Sequence, residues 1–123
     1  MTGEVRGLPS FALVLCLVAG LVATACGAST SPEVEVGPAG TPDPVLVAGR
    51  EVFMDRCSSC HGASGGGTGK GPRLNRGLLE QEYDGLDDAA AVVLGGRRRM
   101  PAFSGLLTRN EVDAVLRYIR DVL

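Results

Sequence analysis

An all-α domain of three to four short helices is what the sequence predicts over residues 45–123. Three observations carry that expectation. Three segments repeat apolar residues at the helical period of 3.6, each with start or stop signals. No segment alternates apolar and polar residues convincingly, so no sheet is expected. The stretch "HGASGGGTGKGPRLNRG" between the first two helical segments holds seven glycines and reads as loop.

The first helix is "PVLVAGREVFMDRC", where Val45, Ala48, Gly49, Val52 and Phe53 fall on one face. A glycine costs a helix about 1 kcal/mol against alanine, so Gly49, four before Phe53, marks a place where another helix approaches closely. The second helix is "DGLDDAAAVVLGG". Asp84 or Asp87 is expected to cap it, and Gly95–Gly96 to stop it. The third is "LTRNEVDAVLRYIRDVL". Thr108 and Glu111 have capping-box spacing, Leu107 precedes the cap as a staple, and Val112, Val115, Leu116 and Ile119 form the stripe.

Residues 1–25 read as an export signal, with an unbroken apolar run from Phe11 to Ala23. Ala23, Thr24 and Ala25 lead into Cys26, which suits a lipoprotein signal with Cys26 acylated at the mature N-terminus. A plain signal or a retained helical anchor is the alternative. Residues 26–44 are rich in Pro, Gly, Ser and Thr without an apolar period, and are expected to be a disordered tether. Such a tether spans roughly 20–25 Å as a coil and roughly 55 Å extended. The chain is therefore expected outside the cytoplasm, on the outer face of the cytoplasmic membrane or in the periplasm.

Residues 45–123 carry eleven Lys and Arg against ten Asp and Glu, which excludes a basic nucleic-acid binder. "GGGTGKGP" is not a phosphate cradle, because Gly71 follows Lys70 and no strand precedes it. With four aromatics in 79 residues, the domain needs a disulfide, metal or cofactor to complete its core.

"CSSCH" at residues 57–61 supplies that need, and three chemistries compete for it. A C-x-x-C redox pair expects a βαβ pattern that is missing. A zinc site needs four ligands, and the domain offers Cys57, Cys60 and His61 alone. Covalent haem needs two thiols to add to the vinyl groups and one histidine to ligate iron. Positions i, i+3 and i+4 share a helical face, so all three groups can address one flat macrocycle. Haem also provides the apolar bulk that the domain lacks. His61 is the single histidine, so a second axial ligand must be another residue type. Met100 in "RRRMPAF" is the candidate, because Pro101 favours extended backbone there. Met54 lies three before Cys57 on the proximal side. Lys70 or an open position are the remaining alternatives.

The ordered set of motifs is similar to the small monohaem class I cytochromes c. It comprises Gly49 and Phe53, "CSSCHG", "GPRL" at Gly71–Leu74, "MPAF" at Met100–Phe103, and the last helix with Tyr118. The resemblance implies a cytochrome c-like fold in which the first and last helices cross beside the haem, with Gly49, Phe53 and Tyr118 at the crossing. It implies that the Pro72 carbonyl accepts the second N–H of His61, and that Pro72 and Leu74 belong to the haem site. Arg73 departs from the small polar residue frequent there.

The expected function is single-electron transfer between membrane redox complexes, without catalysis, through one haem c held by Cys57, Cys60, His61 and Met100. A gas or redox sensor with displaceable Met100, a peroxidase with open iron, and a subunit of a larger oxidoreductase are the alternatives. Arg97, Arg98 and Arg99 are expected to dock an acidic partner surface. One of them is expected to serve a haem propionate, and the acids at 80–88 to form an opposite pole.

Overall fold

In the computed structural model, which describes residues 30–38 and 40–123, the chain forms helices around one core. The signal over 1–25 and Cys26 lie outside the described residues. Among the described residues no helix is long and apolar enough to cross a membrane.

Helix α1 (Pro44–Val52) starts where Asp43 accepts from the Val45 N–H at 2.8 Å and Pro44 takes the first turn, where its missing N–H costs nothing. It runs through a π-helical turn (Phe53–Cys57) into α2 (Ser58–His61). After the glycine-rich loop come α3 (Leu78–Glu82), α4 (Leu86–Gly95) and α5 (Arg109–Asp121). With α1 through α2 as one rod, four helical bodies result, the upper end of the predicted number. Isolated bridges are the sole β pairings among the described residues.

Two local expectations fare differently. Thr108 and Glu111 form both bonds of a capping box, with the Thr108 N–H donating to Glu111 Oε2 at 2.8 Å. That backbone bond, then the Thr108 hydroxyl, holds the Glu111 carboxyl below its ordinary range. Leu107 and Val112, at the staple positions, are both buried. Neither Asp84 nor Asp87 caps α4, however. Extended Gly85 is its N-cap, and Asp87 sits inside the first turn, where it pairs with Arg109 of α5. The helix starts two residues past Asp84, and the acids act there on the helix dipole.

The α1–α5 crossing dominates the tertiary packing. A Cβ on Gly49 would lie 2.7 Å from the Ala114 carbonyl carbon and 2.9 Å from Tyr118 Cβ, so no side chain fits. Phe53 and Tyr118 are fully buried, with ring centroids 5.8 Å apart and planes inclined at 50°. Burying each ring stabilises the fold by roughly 1.5–3 kcal/mol. Phe103, Val112, Val115 and Leu116 continue the same core.

The segment before α1 departs from the tether expected over 26–44. The buried Tyr118 hydroxyl needs a partner. It donates to the Pro32 carbonyl at 2.6 Å. The Ser31 hydroxyl lies 3.2 Å from it and donates to the Ala63 carbonyl. Arg50 completes the attachment through the carbonyls of Ser31 and Pro32 and the Glu33 carboxylate. Residues 31–33 are thus a strap on the domain. Composition misses this because the partners are backbone carbonyls, which every residue has.

Candidate haem site

The approach to "CSSCH" is set by the π-helical turn. Within it the Ser58 N–H reaches back five residues to the Phe53 carbonyl. One extra residue per turn lets Phe53 face the core while the following motif keeps its own register. Cys57 and Cys60 are free and half-buried, and His61 is buried. His61 Nδ1 lies 2.8 Å from the Pro72 carbonyl oxygen. A carbonyl only accepts, so Nδ1 carries the proton and Nε2 keeps its lone pair for a metal.

The loop behind the motif closes tightly on it. Thr68 donates its hydroxyl to the Cys60 carbonyl, and Gly67 N–H donates to the His61 carbonyl at 2.7 Å. A Cβ on Gly71 would stand 2.9 Å from the Cys60 carbonyl oxygen and 3.1 Å from His61 Cε1. The glycines that look like slack in sequence are therefore contact points.

Met100 is carried by a tight turn in which Arg97 and Met100 exchange backbone bonds of 3.1 and 3.0 Å. The Phe103 and Ser104 N–H groups then bond the Val93 and Leu94 carbonyls, using acceptors that the end of α4 leaves free. Met100 is half-buried against the core, whereas Met54 is 38% exposed.

These residues fit a haem better than the other two chemistries. Burial, followed by the neighbouring Cys60, pushes the Cys57 thiol up to about 11. A redox C-x-x-C cysteine is tuned the opposite way. Among the described residues no three His, Cys, Asp or Glu side chains converge as metal ligands would, which argues against zinc. Instead Cys57, Leu74 and Met100, from the "CSSCHG", "GPRL" and "MPAF" segments, stay half-buried beside the core. An apolar disc would complete their cover.

The family model described as cytochrome c oxidase, cbb3-type, subunit III matches residues 44–119. The chain belongs to this cytochrome c family. Cytochrome c6 of Euglena gracilis is 35% identical over 74 residues, 58% of this chain and 85% of the relative. Cytochrome c6 of Leptolyngbya boryana is 36% identical over 76 residues, 60% of this chain and 88% of the relative. Among solved structures, cytochrome c6 from the diatom Phaeodactylum tricornutum matches with a TM-score of 0.52 and 30% identity, covering 62% of this chain and 91% of that one. Dihydro-heme d1 dehydrogenase NirN matches with a TM-score of 0.56 and 31% identity over 62% of this chain. The match covers 16% of NirN, so it concerns one part of that enzyme.

The cytochrome carries one covalently bound c-type haem, whose C-x-x-C-H motif Cys57, Cys60 and His61 fit, and acts as an electron carrier. The bound haem supplies the iron that takes up and releases a single electron. The chain's own residues orient His61 through the Pro72 carbonyl and hold the Met100 segment through the Arg97–Met100 turn.

The three arginines, expected to leave two free for docking, are all exposed and differ in their contacts. Arg97 lies 3.7 Å from the Glu82 carboxylate and 3.5 Å from the Tyr83 hydroxyl. Of the acids at 80–88, Glu82 therefore borders the arginine run, while Asp87 pairs with Arg109. Arg99 donates to the Gly69 and Lys70 carbonyls. Among the described residues Arg98 alone of the three makes no hydrogen bond or ion pair. Sequence reasoning missed the π turn, the Thr68 bond and the Arg99 contact, all of which join positions with no local signature.

Proposed function

We propose that this cytochrome is an exported, lipid-anchored carrier in which His61 and Met100 are the two axial ligands. The observation that carries the reading is the His61–Pro72 bond, which leaves Nε2 as the ligating nitrogen in a chain with no second histidine. Met100 is the thioether half-buried against the core, and an axial methionine raises the potential. Two protein ligands leave no position for a small molecule, which suits transfer and not catalysis or sensing. Reduced protein mixed with carbon monoxide should keep its spectrum over the mixing time. Rapid binding would overturn the carrier reading in favour of the sensor or peroxidase.

Acylated Cys26 would anchor the domain by a short leash. Four residues separate it from Ser31 of the strap, so the reach is at most about 18 Å, not the roughly 55 Å of a free tether. Cys26→Ser should move the protein from the membrane fraction to the soluble one or stall it as a precursor. An unchanged membrane fraction would refute the lipid anchor.

The partners on this reading are redox proteins with acidic docking surfaces, met chiefly by Arg98. A cytochrome subunit of a larger oxidoreductase is the second reading. It is favoured by the subunit named in the family description and by the NirN match.

A further inference from the structure

The Arg99 guanidinium joins two segments that are about 30 residues apart in sequence. Its NH2 nitrogen donates to the Gly69 carbonyl at 2.8 Å and to the Lys70 carbonyl at 3.2 Å. On one side of this bridge is Met100, the next residue, in a turn whose backbone is drawn tight by Arg98 at φ 55°. On the other side is the loop fastened to the haem-binding motif. There the Thr68 N–H bonds the Gly71 carbonyl at 2.9 Å, its hydroxyl bonds Cys60, and the Pro72 carbonyl holds His61. A continuous path therefore runs from Met100 through Arg99 to the backbone that orients His61.

We propose that Arg99 is a positioning residue, a clasp between the Met100 segment and the Gly69–Lys70 turn that keeps the methionine closed on the iron. This rests on the proposed Met100 ligation. Arginine suits the task because its charge strengthens bonds to neutral carbonyls and its planar group spreads several donors. Both acceptors are backbone atoms, so the clasp depends on the fold of the loop and not on the side chains at 69 and 70. These bonds commit one terminal nitrogen of the Arg99 guanidinium to the Gly69–Lys70 turn.

The haem-loaded protein tests this. Loss of a charge-assisted hydrogen bond corresponds to roughly a tenfold change in an opening equilibrium. Arg99→Ala should therefore raise carbon monoxide association with the reduced protein about tenfold. It should also weaken the thioether-to-iron charge-transfer absorption of the oxidised protein, with covalent haem retained. Arg120→Ala, which removes an arginine paired with Asp121 on the last helix, should match wild type in both. Arg99→Lys, a more compact donor, should fall between Arg99→Ala and wild type. Arg99→Ala matching wild type while Met100→Ala binds the gas quickly would overturn the clasp alone. Met100→Ala binding no faster than wild type would overturn the ligation and the clasp together. Arg99→Lys behaving as wild type would reduce the effect to charge and would also overturn the two-carbonyl clasp. So would a faster rate in Arg99→Ala that melting temperature accounts for completely.

Discussion

Gly49→Ala should lower the melting temperature of the haem-loaded domain by more than 10 °C. The added Cβ would meet the Ala114 carbonyl group and Tyr118 Cβ at 2.7 and 2.9 Å, and the nearest obstacle is backbone. A rotamer change cannot relieve that, so α1 must move away from α5. Overpacking of this kind costs about 1–3 kcal/mol, and more where backbone must shift. In a domain of this size each kcal/mol is worth about 4–8 °C. The move also parts Phe53 from Tyr118 and loosens the strap held by the Tyr118 hydroxyl. Gly105→Ala is the control, because nothing lies within 4 Å of a Cβ there. Thermal melts followed by haem absorption decide the matter. A Gly49→Ala variant melting within 2 °C of wild type would mean that the crossing has room to give.

On the proposed Met100 ligation, Gly96→Ala should detach Met100 without touching the methionine or the His61 side. Gly96 stands at φ 73° and ψ 165°, a region essentially confined to glycine, where a residue with a Cβ loses about 1–3 kcal/mol from its backbone alone. The Cβ would also stand 2.8 Å from the Met100 carbonyl oxygen and from the Ala102 nitrogen. The turn that presents Met100 must therefore distort. The expected result is the spectrum of Met100→Ala in a chain that still contains Met100, with a lowered potential and open access for carbon monoxide. Potentiometry of wild type, Gly96→Ala and Met100→Ala provides the comparison. If Gly96→Ala keeps the wild-type potential while Met100→Ala loses it, the turn does not position the ligand.

The two glycines differ in how far they could be read without coordinates. Gly49 stands in an otherwise good helical pattern, so its cost there signals a close approach. Gly96 looks like an ordinary helix stop, and its second task of admitting the Met100 turn depends on where the chain returns. The capping box at Thr108 was legible because both partners lie within one turn. The α4 cap, expected at Asp84 or Asp87, falls on Gly85 between them, because two acids three residues apart are equally good local candidates. The arginine run shows the same limit, since its charge is visible in sequence while Glu82 and the Gly69 and Lys70 carbonyls reach it only through the fold.

What the sequence determined by itself is the chemistry. "CSSCH", one histidine, a methionine before proline and a core short of aromatics restrict the chain to a covalent haem, because reactive groups at i, i+3 and i+4 meet in any helix. Helix periods and the Thr108 cap are equally local. Tertiary structure alone decided that Ser31 and Pro32 strap the N-terminal segment to Tyr118, and that Arg99 faces the Gly69–Lys70 turn. Each of these joins a side chain to a backbone carbonyl distant in sequence. Backbone carbonyls are chemically alike at every position, so only the folded path of the chain selects which one a donor finds.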